Sequence, residues 1–271
     1  MNDIMWQVHR LTDKSQILSF LERDRWYAAY AIGDLEPSFF DLCQWYGAEN
    51  DGDLRALAML FSGLEPPVLF LMGEVPGLSM ILGSALRPRR VYVTCRQSHL
   101  PAVRAFYNLS KAETMLRMIL QPADFRAVPG EVTRLSPAYT KELERLYSMA
   151  EGNAFKPYQV AQGVFYGIER KGRLIATAGT HVVSPNYGVA AVGNVFTDPN
   201  HRRRGYATIC TSAVVEELLS RRLDVVLNVS TANATAIHVY ERLGFRPYCR
   251  FIEVVGVRRG SRQPTPGEST M

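Results

Sequence analysis

The chain has 271 residues, 47% of them hydrophobic, with a formal net charge of +5 and four cysteines. That is enough apolar chain for one large core or two medium ones, and no stretch approaches the ~20 uninterrupted apolar residues of a membrane helix. Cys43, Cys95, Cys210 and Cys249 lie far apart, as do the five histidines, which argues against a redox motif and against a metal site.

The segment Met1–Trp6 lacks the basic start and apolar run of a signal peptide; the expected setting is the cytoplasm. The charge is uneven. Residues 1–128 carry 13 Lys and Arg against 14 Asp and Glu, whereas residues 129–271 carry 18 against 12. The positive excess falls in the part that holds Arg202, Arg203 and Arg204. A short run of that kind suits a local anionic ligand better than nucleic acid, which calls for a broad basic face with interleaved aromatics.

In chain order, periodicity predicts helices at Lys14–Arg23 and Trp26–Asp34 and strands at Leu42–Ala48, Leu54–Phe61 and Val68–Met72. A helix at Leu78–Leu86, a strand at Arg90–Cys95, a helix at Leu100–Tyr107 and a strand at Thr114–Gln121 follow. Pro122–Gly130 reads as a linker. Beyond it come a strand at Glu131–Leu135, a helix at Pro137–Ala150, and strands at Gly163–Glu169 and Arg173–Val183 joined by a Lys171-Gly172 hairpin. A strand at Tyr187–Thr197, a helix at Gly205–Arg221, an apolar strand at Asp224–Val229, a helix at Asn233–Leu243 and a strand at Phe245–Val257 complete the series. The two halves repeat one order of elements. The expectation is therefore a duplicated α/β unit with mixed sheets, in contiguous domains 1–125 and 126–257, and an unstructured tail over 258–271.

The segment Val192–Thr208 concentrates the chemistry. A strand ends, a turn carries three arginines, and a helix begins at Gly205. Helix starts leave backbone N–H groups without intrahelical partners and carry partial positive charge. A glycine there lets an anion approach the backbone. Taken alone, the arginines read equally well as solvated charge, although at a helix start they oppose its dipole. The second segment is Asn233–Phe245, in which Asn233, Ala236 and Tyr240 share one helix face at i, i+3 and i+7. They suit the flank of a slender ligand; the plainer reading makes Asn233 a helix cap and Tyr240 a packing residue.

Together the two segments resemble the GNAT superfamily of N-acetyltransferases. Its pyrophosphate pattern is matched by Arg202, Gly205 and Ala207, and its later Asn…Ala…Tyr…Gly-Phe pattern by Asn233, Ala236, Tyr240, Gly244 and Phe245. The likeness covers roughly residues 130–257, with the N-terminal half a degenerate GNAT-like repeat. The resemblance implies a GNAT fold and acetyl-CoA, or another short acyl-CoA, as co-substrate, without a metal. Val195, Phe196 and Thr197 would pair with the pantetheine arm. Arg202, Arg203, Arg204, Gly205, Tyr206 and Ala207 would hold the pyrophosphate, Asn233 would contact the arm or the phosphate end with Ala236 on the same face, and Tyr240 would protonate the departing thiolate.

The strand before the turn carries Asn194 where many relatives place a glutamate, so the base is open among Glu151, His181 and Glu169. In the N-terminal half the corresponding turn is expected at Leu86–Arg90, which lacks the glycine and in which Pro88 removes an N–H donor, so that this half is not expected to bind CoA. The function expected is direct acyl transfer to a primary amine, with a small-molecule acceptor; no nucleic-acid or membrane partner is expected, and a homodimer is left open. The alternative is a non-catalytic acyl-CoA-binding sensor, which the missing carboxylate favours.

Overall fold

The structure is a computed structural model that describes residues 5–150 and 155–260. In chain order its elements are β1 (Gln7–Leu11), α1 (Lys14–Leu21), α2 (Arg25–Gly33), α3 (Pro37–Phe40), β2 (Cys43–Asn50), β3 (Asp53–Phe61) and β4 (Val68–Gly73). Then come α4 (Val75–Ser84), β5 (Arg90–Cys95), α5 (Leu100–Phe106), β6 (Tyr107–Leu109) and β7 (Glu113–Leu120). The linker leads to β8 (Thr133–Arg134), α6 (Thr140–Tyr147), α7 (Pro157–Gln162), β9 (Tyr166–Arg170), β10 (Arg173–Ser184) and β11 (Val189–Thr197). The series ends with α8 (Tyr206–Ser220), β12 (Asp224–Ser230), α9 (Ala234–Arg242) and β13 (Arg246–Arg258). Most predicted elements appear within a few residues; β1, α3, β6 and α7 were not anticipated. The tail from residue 261 on, expected to lack structure, lies outside the described residues.

The chain forms two compact units, but they are not the contiguous halves expected from a boundary at 125. One takes the described residues up to 20, residues 38–113 and those from 251 on; the other takes 21–37 and 114–250. The physical reason is strand pairing. β7, which closes the N-terminal series, pairs antiparallel with β12, from Leu120–Val225 to Met115–Ser230. β13, which closes the C-terminal series, pairs antiparallel with β5, from Ile252–Cys95 to Val257–Arg90. Alternation tells a strand which face to bury and says nothing about which neighbour it joins.

In the first unit the strands run β1-β2-β3-β4-β5-β13. All these neighbours are antiparallel except β4 and β5. Alternate residues of one face, among them Ala56, Ala58, Leu69, Leu71, Val91, Val93, Ile252 and Val254, pack with Leu78, Ile81 and Leu82 of α4 and Val103 of α5.

In the second unit the order is β7-β12-β11-β10-β9-β8, again with one parallel pair, β11 and β12. One sheet face sets Met118, Leu120, Val225, Leu227, Ala190 and Val192 against Cys210, Val214 and Leu218 of α8 and Tyr240 and Leu243 near α9. Each buried aliphatic side chain is worth roughly 1.5–3 kcal/mol, so this core holds α8 firmly. The alternate residues Ala191 and Val226 turn to the opposite face and meet Ala29 of α2, with Trp26 and Tyr30 beside them. Polar contacts tie this helix down. Arg25 Nε donates to Asp224 Oδ2 at 2.7 Å and its Nη2 to the Tyr187 carbonyl at 2.9 Å. The buried Glu36 carboxylate accepts from Ser184 Oγ at 2.6 Å, the Asn186 amide side chain at 2.6 Å and the Asn186 backbone N–H at 3.0 Å.

Candidate active site

The parallel pairing of β11 with β12 runs from Val189–Asp224 to Val192–Leu227. Both strands continue past that point, β11 to Thr197 and β12 to Ser230, so beyond Val192 they part. The parting coincides with a bulge. Between the pairs Thr177–Phe196 and Gly179–Gly193, β11 has one residue more than β10, and Asn194 takes a positive φ of 51°. Asparagine tolerates that conformation better than most residues. A bulge re-aims the backbone; Val195–Thr197 therefore follow a redirected strand edge. The Tyr147 hydroxyl donates to the Asn194 carbonyl and fixes the bulge from α6; burial pushes this phenol's pKa upward.

After Thr197 the chain makes a short turn in which Asp198 Oδ1 accepts from the Asn200 N–H at 2.8 Å. That hydrogen bond lowers the Asp198 pKa despite some burial. Arg202 folds back, its Nε donating to the Thr197 carbonyl at 3.3 Å and its guanidinium 5.7 Å from the Phe196 ring centroid. Arg203 and Gly205 both have positive φ, 62° and 79°. At Gly205 this conformation starts α8, a helix of 15 residues whose N-cap makes no side-chain capping hydrogen bond. Arg202–Gly205 are exposed while Tyr206 and Ala207 are half-buried. Uncapped N–H groups, the helix dipole and three guanidinium-bearing residues thus meet at one point, an arrangement suited to a pyrophosphate.

In α9, Asn233 is exposed and its Oδ1 accepts from the Ala236 N–H at 3.0 Å. It is the helix cap. Ala236 is half-buried and Tyr240 is 8% exposed. The Tyr240 ring packs edge-on against Phe245 at 6.1 Å between centroids, and burial pushes its phenol up to about 12. Val195, Tyr206 and Ala236 all pack on the cluster that contains Tyr240. The two sequence segments, 26 residues apart (Ala207 to Asn233), therefore converge on one core.

The candidate bases separate clearly. Glu169 accepts from the Tyr139 hydroxyl at 2.9 Å, and Glu151 lies outside the described residues. His181 stands at the bulge. It is itself the extra residue of a second irregularity, between the pairs Thr180–Val192 and Val182–Ala191. Its ring covers Gly193 so closely that a Cβ there would sit 2.4 Å from Cε1. Its Nδ1 is 3.2 Å from the Tyr30 hydroxyl, and burial lowers its pKa. Tyr30 and Asp34 of the α2 segment, and Arg117 of β7, were missed in sequence. Arg117 is 2% exposed with its guanidinium 4.7 Å from the Tyr30 ring centroid. Burial raises Asp34 to about 8. No spacing rule joins residue 30 to residue 181; the only signal was a helix dense in aromatics.

The parallel strand pair that parts at a bulge, with an anion-ready helix start after it, defines the GNAT fold. A solved tandem GNAT protein from the clavulanic acid biosynthesis pathway shares it, with 14% identity, a TM-score of 0.58, and coverage of 96% of this chain and 100% of that one. Residues 132–245, less than half of the chain, match the acetyltransferase (GNAT) family. It is similar to a mycothiol acetyltransferase of Tsukamurella paurometabola, 29% identical over 56% of this chain and 62% of that protein. It is also similar to the [ribosomal protein bS18]-alanine N-acetyltransferase of Escherichia coli K12, 29% identical over 38% of this chain and 62% of the relative. The chain thus spans less than two thirds of the length of each. Among the described residues no cluster of side chains could hold a metal ion and no helix is long and apolar enough to cross a membrane.

Within the first unit the turn expected at Leu86–Arg90 is not the counterpart of Arg202–Ala207. It lies between α4 and β5, after the helix; the counterpart joins β4 to α4 and consists of Glu74 alone. The helix there starts three residues before the expected Leu78, because Pro76 suits a first turn.

Proposed function

We propose that this chain transfers an acetyl or other short acyl group from acyl-CoA to a primary amine, directly and in a ternary complex. The observation that carries this reading is the parting of β11 and β12 after Val192–Leu227, leading to the uncapped start of α8. The pantetheine arm would lie along β11 as an added strand. Because the Thr197 carbonyl already receives Arg202, the pairing edge centres on Val195 and Phe196. The N–H groups of Arg203 to Ala207, with the side chains of Arg202–Arg204, would take the pyrophosphate, and Ala236 would flank the arm. A backbone N–H near Val195 would polarise the thioester carbonyl. As the amine nitrogen bonds to the carbonyl carbon, the C–S bond breaks and Tyr240 donates its proton to the leaving sulfur. A phenol held at about 12 stays protonated at neutral pH, the state a general acid needs.

A small-molecule acceptor is the favoured class, supported by the likeness to a protein named mycothiol acetyltransferase; the likeness to a protein-alanine N-acetyltransferase keeps peptide N-termini in the comparison. The test is release of CoA thiol from acetyl-CoA over a panel of small primary amines and alanine-starting peptides. Mass spectrometry identifies the acylated product. Amine-dependent thiol release with matching product supports the reading. Tight acetyl-CoA binding without thiol release for any acceptor would instead favour the non-catalytic sensor.

A further inference from the structure

We infer that Tyr30, His181 and Asn194 form the chain that accepts the proton of the attacking amine, Tyr30 as the catalytic group and the other two as positioning residues. This rests on the acyl-transfer reading above and supplies the base it lacks.

The geometry sets the direction of the chain. The Asn194 side-chain amide donates to Gln159 Oε1 at 3.3 Å and to the Thr180 carbonyl at 3.3 Å. Both of its protons are thereby used, and its Oδ1 is the atom that can meet His181, with which it hydrogen-bonds. An amide oxygen only accepts; it holds the imidazole with the proton on Nε2. Nδ1 is then the basic nitrogen, and it is Nδ1 that lies 3.2 Å from the Tyr30 hydroxyl. Gly193 has no side chain to contest the place of the ring. Tyr30 is half-buried, on the α2 face of the sheet, whereas Tyr240 belongs to the core on the α8 face. Amine and leaving thiolate are thus served from opposite faces of the parted strands.

The proton balance is simple. As the neutral amine bonds to the carbonyl carbon, its nitrogen gives one proton to Tyr30 Oη while Tyr30 passes its own to His181 Nδ1; Tyr240, having protonated the leaving sulfur, recovers a proton from solvent. The imidazolium formed donates from Nδ1 to Tyr30 Oη and from Nε2 to Asn194 Oδ1, and later returns the proton to solvent by the same path. The charged Arg117 on β7 faces the Tyr30 ring, and Asp34, which follows α2, lies near Tyr158 of α7, where burial and then that carboxyl raise the phenol. Arg117 beside the Tyr30 ring favours negative charge on that oxygen during the exchange. Burial lowers the His181 pKa and the Asn194 hydrogen bond raises it in part. The acidic limb of the rate profile therefore belongs to His181, with the rate rising as pH increases through its titration.

The test is the pH dependence of kcat/KM on the full chain with acetyl-CoA and a weakly basic primary amine, whose own titration falls well below the limb. Acetyl-CoA affinity is measured alongside. Tyr30→Phe and His181→Gln should each lower kcat/KM by about 10²–10⁴-fold, and the double variant no further than the worse single one. The dissociation constant for acetyl-CoA should stay within about twofold, since neither residue lies on the proposed acyl-CoA surface. Asn194→Gly, which suits the positive φ, should move the acidic limb to lower pH, a change no packing defect produces. Independent, multiplying losses, or an unmoved limb in Asn194→Gly, would overturn the chain while leaving acyl transfer standing. Absence of transfer by the unaltered protein to every amine would overturn the acyl-transfer reading, and this inference with it.

Discussion

The two units use one frame for two different connections. In each, a strand is followed by a helix and then by a strand parallel to the first, β4-α4-β5 and β11-α8-β12. Between β11 and α8 lie eight residues, Asp198–Gly205, three of them arginine, ending in a left-handed glycine. Between β4 and α4 lies only Glu74, whose N–H donates to the Arg55 carbonyl at 3.0 Å. A carboxylate at that helix start complements the dipole by itself and repels an anion, and Pro76 removes a donor from the first turn. The frame supplies a helix N-terminus in both cases. What sets the start of α8 apart, and makes it the proposed ligand site, is the length and charge of the chain that leads into it.

Substitutions can break this contrast. The largest effect is expected at Tyr240: Tyr240→Phe should lower kcat by about 10²–10⁴-fold while calorimetry shows acetyl-CoA affinity unchanged. Next comes Gly73→Ala in the first unit, where a Cβ would lie 2.2 Å from the Arg55 carbonyl oxygen at a φ of 108°. It should cost about 1–3 kcal/mol of stability in denaturant titration, with acetyl-CoA affinity of the folded protein untouched. Gly205→Val is the converse. Space around Gly205 is open, so the cost to stability is the backbone strain of a φ of 79° alone, about 1–2 kcal/mol, while the acetyl-CoA dissociation constant rises about tenfold, roughly 1.4 kcal/mol. Equal affinity in wild type and Gly205→Val would place the anion site elsewhere.

Smaller effects sharpen the picture. Asn233→Ala should cost about 1 kcal/mol through the lost cap. Asp34 gives a pH test with a definite sign. Its folded pKa, about 8, lies above the ordinary carboxyl value of 3.8; the unfolded chain therefore ionises first as pH rises, and the group weakens the fold progressively from pH 4 toward 8. The melting temperature of Asp34→Asn minus that of wild type should grow over this interval. A constant difference would mean that Asp34 is solvated in the fold.

Much of the second unit was legible from local chemistry. The Lys171-Gly172 hairpin has positive φ at both residues, 52° and 71°, as a two-residue turn between twisted strands requires. The Asn233 cap and the Gly205 helix start were visible because each depends on its own residue type. β1 was hidden since only Leu11 among its residues is fully buried, which leaves no alternation to read. α7 has six residues, fewer than two turns. The proposed base was hidden for a different reason. Tyr30 and His181 are 151 positions apart, and the bulges that bring the imidazole to Gly193 are departures from periodicity.

The strand exchange bears on dissection. A cut in the linker near residue 125 would leave the C-terminal fragment without β7, which lines β12 from Met115 to Leu120, and without α2 and the residues that follow it, where Arg25 and Glu36 hold Asp224, Ser184 and Asn186. The N-terminal fragment would lose β13 and with it Ile252 and Val254 from its core. Neither piece is a module that can be borrowed alone. Expressed separately the fragments should be insoluble; expressed together they should complement, which makes a severed linker a natural reporter of reassembly.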